Sequence, residues 1–370
     1  MLAFLYAYIY QLGRQTVMNS RVNSIPYASL CVIIAIGLAI STSIFIFSND
    51  SFSVQTLMAQ QQQQLQSNFT SAEQQLLTEG NSFEIDNVTF SHHTATVNGI
   101  QLHYVMGGKG DPVVLLHGYP QSWYEWRHVM PALAKNYTVI APDLRGFGDS
   151  SRPLTGYDGN TTAEDIYQLV SQLGFSNIFL VAHDVGAQTA YSYAAAHPNN
   201  VSKLVLMDFP FPGFLPPEFG QNGPWWFGFY QTPDVPEYLI EGKEKEYLSW
   251  FIRGLEYNPS AITDADIDVF VTHAKKPGGL RSQFEHFRAF PTDAEQNKES
   301  AKNKITIPVL VLGGDIYPAL GGDYPGNFAL SSTQNLAANV TGITVPLSGH
   351  WIPEEQPKFV IEQLVRFFNQ

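Results

Sequence analysis

Three residues far apart in the chain have the side chains that a displacement at carbon, followed by hydrolysis, would need: Asp184, Asp208 and His350. Asp184 is the centre of Ala182-His183-Asp184-Val185-Gly186, which follows the apolar run Ile178 to Val181 and precedes helical periodicity from Ala187. A strand that turns at once into a helix bends too sharply for large neighbours, so small residues flank the turn and its central side chain is pushed out above the sheet. A serine there would acylate itself on an ester. A carboxylate cannot usefully do so, but it can displace a leaving group from a saturated carbon. Taken alone, Asp184 would serve equally well as a helix N-cap. His350, in Ser348-Gly349-His350-Trp351, offers a general base, and Asp208, directly after Val205-Leu206-Met207, offers the acid that would orient it. A single histidine is as often structural. What favours chemistry is the joint pattern, nucleophile then acid then base, each just beyond a candidate strand.

Stepping along the chain from Phe83, short β-rich runs alternate with helical ones, the mark of an α/β sheet. Candidate strands are Ile100 to Val105, Val113 to Leu116, Thr138 to Ala141, Ile178 to Val181, Leu204 to Met207, Val309 to Leu312 and Ile343 to Pro346. They are continuous apolar runs, which predicts a mostly parallel sheet with helices on both faces. Between Phe209 and Lys304 there is no strand candidate, only a Pro- and aromatic-rich helical stretch, read as a lid over the carboxyl ends of the strands. After Val113 to Leu116 comes His117-Gly118-Tyr119-Pro120, a turn able to aim backbone N–H groups at a developing oxyanion.

With 20 Lys and Arg against 33 Asp and Glu, the 370-residue chain has a net charge of −13, which argues against nucleic acid as a partner. The single cysteine, Cys31, excludes a disulfide framework and a thiolate metal cluster. No residue from Val22 to Asn49 is charged, and Ser29 to Phe47 is long enough to cross a bilayer. Arg14 and Arg21 precede it and Asp50 follows, so the N-terminus is expected in the cytoplasm and the bulk of the chain outside. The expected organisation is a cytoplasmic stub and transmembrane anchor over 1–50, a Gln-rich spacer over 51–81, a core over 82–210 and 303–370, and a helical lid over 211–302. An export signal, leaving a secreted protein, is the alternative for the first segment.

The stretches His117 to Trp126, Ala141 to Ser150, the Asp184 pentapeptide and Gly349-His350-Trp351-Ile352-Pro353-Glu354-Glu355 together resemble the α/β-hydrolase superfamily in its epoxide hydrolase and dehalogenase branch. They are most similar to exported bacterial epoxide hydrolases of the Cif type, over about Phe83 to Phe368. The resemblance implies the α/β-hydrolase fold, with an eight-stranded sheet and the lid inserted after its sixth strand. It implies no cofactor or metal, and a homodimer as the family's assembly. Asp184 would form an alkyl-enzyme ester that His350-activated water cleaves, with Tyr119 and Val185 N–H groups holding the oxyanion. The family can also keep its acid at the place of Asp315, so Asp208 and Asp315 are alternatives, with Asp208 favoured because it ends its strand directly.

Epoxide opening usually draws on two lid donors. Here Trp225 or Trp226 stands at the first donor position and Phe287 at the second, where a tyrosine is expected, leaving His286, Tyr230 or an indole N–H to supply the hydrogen bond. Indole N–H groups also suit a halide, so hydrolytic dehalogenation of a neutral haloalkane is the second reading. Val185 and Gln188 stand where acid-binding arginines or a tryptophan would be expected for other dehalogenases, which favours a small, uncharged, apolar substrate. A relative that binds an apolar ligand without turning it over is the third.

Overall fold

The computed structural model describes residues 82–219, 223–315 and 328–370, all within one compact unit. The uncharged N-terminal stretch and the Gln-rich spacer lie outside these residues. Among the described residues no helix is long and apolar enough to cross a membrane.

The strands are β1 Ser82–Ile85, β2 Val88–Val97, β3 Ile100–Gly108, β4 Asp111–Leu116, β5 Tyr137–Pro142, β6 Ile178–His183, β7 Val201–Met207, β8 Val309–Gly314 and β9 Val340–Val345. They form one sheet in the order β1-β2-β3-β5-β4-β6-β7-β8-β9. From β5 through β9 in that order every pairing is parallel, and β1, β2 and β3 form an antiparallel meander whose last strand joins β5. Every residue of β8 is buried, as are all but the first of β4, so both faces of the parallel part are covered.

The sheet therefore has nine strands among the described residues, where eight were expected. The seven candidate strands read from the sequence fall on β3 to β9; β1 and β2 were not among them. In β2 buried residues alternate with partly exposed ones near the sheet edge, so it carries no continuous apolar run. Its turns did carry a signal. Asp86-Asn87 joins β1 to β2 and Asn98-Gly99 joins β2 to β3, all four residues with positive φ, as two-residue hairpins require.

Between β7 and β8 lie six α-helices among the described residues, Trp225–Gln231, Val235–Ile240, Glu244–Leu255, Asp264–Ala274, Gly279–Arg288 and Phe290–Ser300. The last of these is fastened to the core by polar contacts. Asp293 Oδ1 accepts the Gly159 N–H at 2.7 Å, and the side-chain amides of Gln188 and Asn297 exchange two hydrogen bonds of 2.9 Å.

Candidate active site

Asp184 stands between β6 and the helix Val185–Ala196 with φ +48° and ψ −128°, a conformation a side chain rarely adopts. Close packing holds it there. A Cβ at Gly186 would lie 2.5 Å from the His117 carbonyl oxygen, and a Cβ at Gly118 would lie 2.5 Å from the Asp184 Cβ. Only glycines allow the turn after β4 to approach the elbow this closely. The Asp184 N–H is held by the Met207 carbonyl at 3.1 Å, tying the elbow to the end of β7.

The structure brings Asp184, Asp208 and His350 together. His350 Nδ1 is 2.6 Å from Asp208 Oδ2, and its Nε2 is 3.7 Å from Asp184 Oδ2. A carboxylate can only accept, so Nδ1 carries the proton and the Nε2 lone pair faces Asp184. The separation from Asp184 is too long for a hydrogen bond, which leaves Nε2 available to a water molecule. Asp208 is fully buried, and its Oδ1 accepts the Gly314 N–H at 3.2 Å. Asp315, the alternative acid, is exposed at the end of β8, where its N–H donates to the Ser348 carbonyl; His350 Nδ1 is engaged by Asp208 instead.

The other Asp184 oxygen, Oδ1, accepts the Tyr119 N–H at 2.9 Å. Val185 begins the following helix, where backbone N–H groups have no intrahelical partner. The Tyr119 turn is braced from within. His117 Nδ1 donates to the Gly118 carbonyl at 2.9 Å and its Nε2 accepts the Leu144 N–H at 3.0 Å. That pattern needs a neutral ring, and burial, with the nearby acids working against it, keeps the His117 pKa below its ordinary value.

Two residues that are not among the site candidates read from the sequence lie directly behind these groups. Glu125 Oε2 accepts the Gly118 N–H at 2.8 Å, and its Oε1 is 3.2 Å from His183 Nδ1, off the line of a good hydrogen bond but within ion-pair range. His183 Nε2 donates to the His350 carbonyl at 2.9 Å. Burial alone would lower the His183 pKa; Glu125, with Asp184 and Asp208 beyond it, outweighs burial and raises it to about 9. His183 is thus an imidazolium at neutral pH. The local signal was its place, immediately before Asp184 in a buried strand end.

A cavity opens over Asp184 and His350. Tyr119 lines it from the turn after β4, and Trp226, Phe227, Phe251 and Phe287 line it from the helices between β7 and β8, with Phe219 and Phe328 completing an aromatic wall. Of the proposed lid residues, the structure brings Trp226 and Phe287 to this cavity and turns the others elsewhere. His286 donates Nε2–H to the Arg145 carbonyl at 2.9 Å between Phe147 and Tyr157, and burial lowers its pKa to about 4. Tyr230 is fully buried, stacked on Phe284, with its hydroxyl 2.6 Å from that of Tyr247. Trp225 is 47% exposed and packs on Trp250.

The family model for the alpha/beta hydrolase fold matches residues 111–235. The soluble epoxide hydrolase of Corynebacterium sp. (strain C12) is 39% identical over 288 residues, 75% of this chain and 97% of that protein. The crystal structure of Cfl2 from Burkholderia cenocepacia is similar with a TM-score of 0.69 at 39% identity, covering 79% of this chain and 100% of that one. The Cif epoxide hydrolase from Acinetobacter nosocomialis is similar with a TM-score of 0.68 at 28% identity, covering 75% of this chain and 88% of that one.

Proposed function

The chain belongs to the epoxide hydrolase branch of the α/β-hydrolase family, and we propose that it opens small, uncharged, apolar epoxides to vicinal diols through an ester on Asp184. The single observation that carries this reading is the disposition of the two Asp184 oxygens: Oδ1 is held by the Tyr119 N–H, and Oδ2 faces the ring of His350. A nucleophile needs one free oxygen on the cavity side, and the oxyanion of a later step needs its other oxygen already seated among donors.

In the first step Oδ2 attacks an epoxide carbon. The carbon–oxygen bond of the ring breaks, and its electron pair goes to the epoxide oxygen, which takes a proton from water and leaves hydroxide. In the second step a water loses its proton to His350 Nε2 while its oxygen attacks the Asp184 carboxyl carbon. The tetrahedral oxyanion forms at Oδ1 beside the Tyr119 N–H, with the Val185 N–H as the second donor. Collapse breaks the bond between the carboxyl carbon and Oδ2. The departing diol oxygen takes the proton from His350, and the carboxylic acid left behind gives its own to the hydroxide. Asp208 compensates the charge on His350 while it lasts. The sum is epoxide plus water to diol.

A second reading rests on the cavity wall. Phe287 cannot donate a hydrogen bond, and Trp226 brings an indole, a donor suited to a halide. Hydrolytic dehalogenation of a neutral haloalkane would run through the same ester, with halide leaving and no proton needed. Matched epoxides and haloalkanes assayed for diol and halide separate the two. Diol without halide is the outcome expected; halide without diol would reverse the order. A single turnover in heavy-oxygen water tests the ester itself: the label should enter Asp184 and not the diol, and label in the diol would mean direct attack by water.

A further inference from the structure

Glu125 and His183 do not line the cavity, yet together they join the two loops on which the chemistry depends. Glu125 holds the Gly118 N–H, one residue before the Tyr119 donor, and His183 holds the carbonyl of the base, His350. The rings of His183 and His350 are 4.6 Å apart, and a Cβ on Gly118 would lie 3.1 Å from His183 Nδ1. Both side chains are at most 1% exposed, so their charges are little screened by solvent.

We propose that Glu125 and His183 are a charged positioning pair that ties the oxyanion turn to the loop of the base and biases the site towards hydrolysis of the Asp184 ester. The inference rests on the ester reading above. Its direction follows from where negative charge sits in each step. In alkylation the Asp184 carboxylate loses its charge to the leaving group, so a fixed cation behind it favours the starting state and gives that step no help. In ester hydrolysis a negative charge appears on Asp184 Oδ1, and the same cation favours the product of attack.

The groups that face His183 divide by sign. Glu125, Asp184 and Asp208 favour its charged form, while burial opposes it. His117, held neutral, leaves the charge to His183 alone. Asp208, bonded to His350 Nδ1, compensates the charge when His350 takes its proton.

Two near-isosteric variants remove the charge while keeping the contacts. Glu125→Gln retains an oxygen for the Gly118 N–H, and His183→Gln retains an amide donor for the His350 carbonyl. The probe is whichever of styrene oxide, epoxyhexane and cyclohexene oxide most rapidly adds its mass to the His350→Gln variant. Rapid quenching and intact mass then give the rates of ester formation and decay separately. Each variant is expected to slow ester decay about 10-fold or more and to leave ester formation within about 3-fold, so that ester accumulates at steady state. The double variant should be no worse than either single one, as expected for residues acting as a unit. Equal slowing of both steps, or no change in either, would overturn the proposal, and circular dichroism melts distinguish equal slowing caused by misfolding in one variant from the behaviour of the other. Absence of any adduct on His350→Gln would overturn the ester reading and this inference with it, whereas an adduct there with unchanged partitioning in Glu125→Gln and His183→Gln overturns the inference alone.

Discussion

Asp208 and His350, 142 residues apart in sequence, meet through a hydrogen bond of 2.6 Å between Oδ2 and Nδ1. It selects the tautomer that leaves Nε2 as a base. Asp208→Asn removes the charge and can present an N–H to the ring, so kcat for diol formation is expected to fall by about 100- to 10,000-fold. Asp315→Asn should leave kcat within about 2-fold, in keeping with an exposed carboxylate apart from His350. Similar losses in both variants would mean that the acid is shared.

The cavity wall supplies a gain-of-function test. Phe287→Tyr places a phenol on the face occupied by Phe287 and is expected to raise epoxide turnover about 10-fold or more, less than the about 100- to 10,000-fold of a fully positioned general acid. Halide release should not rise in parallel. Initial rates on matched substrates measure both, and no gain with epoxides would mean that the departing oxygen lies elsewhere.

At the elbow, Gly186→Ala drives a Cβ to 2.5 Å from the His117 carbonyl, whereas Gly228→Ala meets nothing within 4 Å. Urea unfolding should show Gly186→Ala destabilised by about 2–4 kcal/mol, with activity lost alongside. Gly228→Ala, inside a helix, should be neutral or stabilised by up to about 1 kcal/mol. A mild effect at Gly186 would contradict the tight elbow.

The link between lid and core titrates. Burial raises the Asp293 pKa to about 7, with the Gly159 N–H working against it and Asp158 with it. An unfolded aspartate titrates near ~4. The folded state therefore binds this proton more tightly, and the stability it contributes is present below about pH 4 and lost as pH rises towards 7. Asp293→Asn should lose less of its melting temperature between pH 5 and 8 than the parent, by a few degrees. A residual slope is expected from Glu354, which burial also raises to about 7 despite Arg127. Identical slopes for parent and variant would place the titration outside Asp293.

The three residues of the proposed triad were legible because each announces itself locally: an aspartate between small residues, an acid at a strand end, a Gly-His after the last strand. The lid was not, because adjacent residues on a helix point about 100° apart. His286 and Phe287 cannot both face the cavity; Phe287 does, and His286 turns to the Arg145 carbonyl. Tyr230 is likewise drawn away, to Tyr247. The Glu125–His183 pair was hidden for a different reason. His183 stands next to Asp184 and Glu125 within the His117 to Trp126 stretch, but their relation exists only once the turn after β4 lies against the end of β6. Strands β1 and β2, at one end of the sheet, were missed because neither carries a continuous apolar run.

The central claim is that Asp184 forms a bond to the substrate which His350 is needed to undo. Intact-mass measurement of His350→Gln after incubation with epoxides and haloalkanes tests it most directly. A stable gain equal to the whole epoxide, located on the peptide carrying Asp184 and absent from Asp184→Asn, is the expected result. A His350→Gln protein that turns over normally with no mass gain would contradict it.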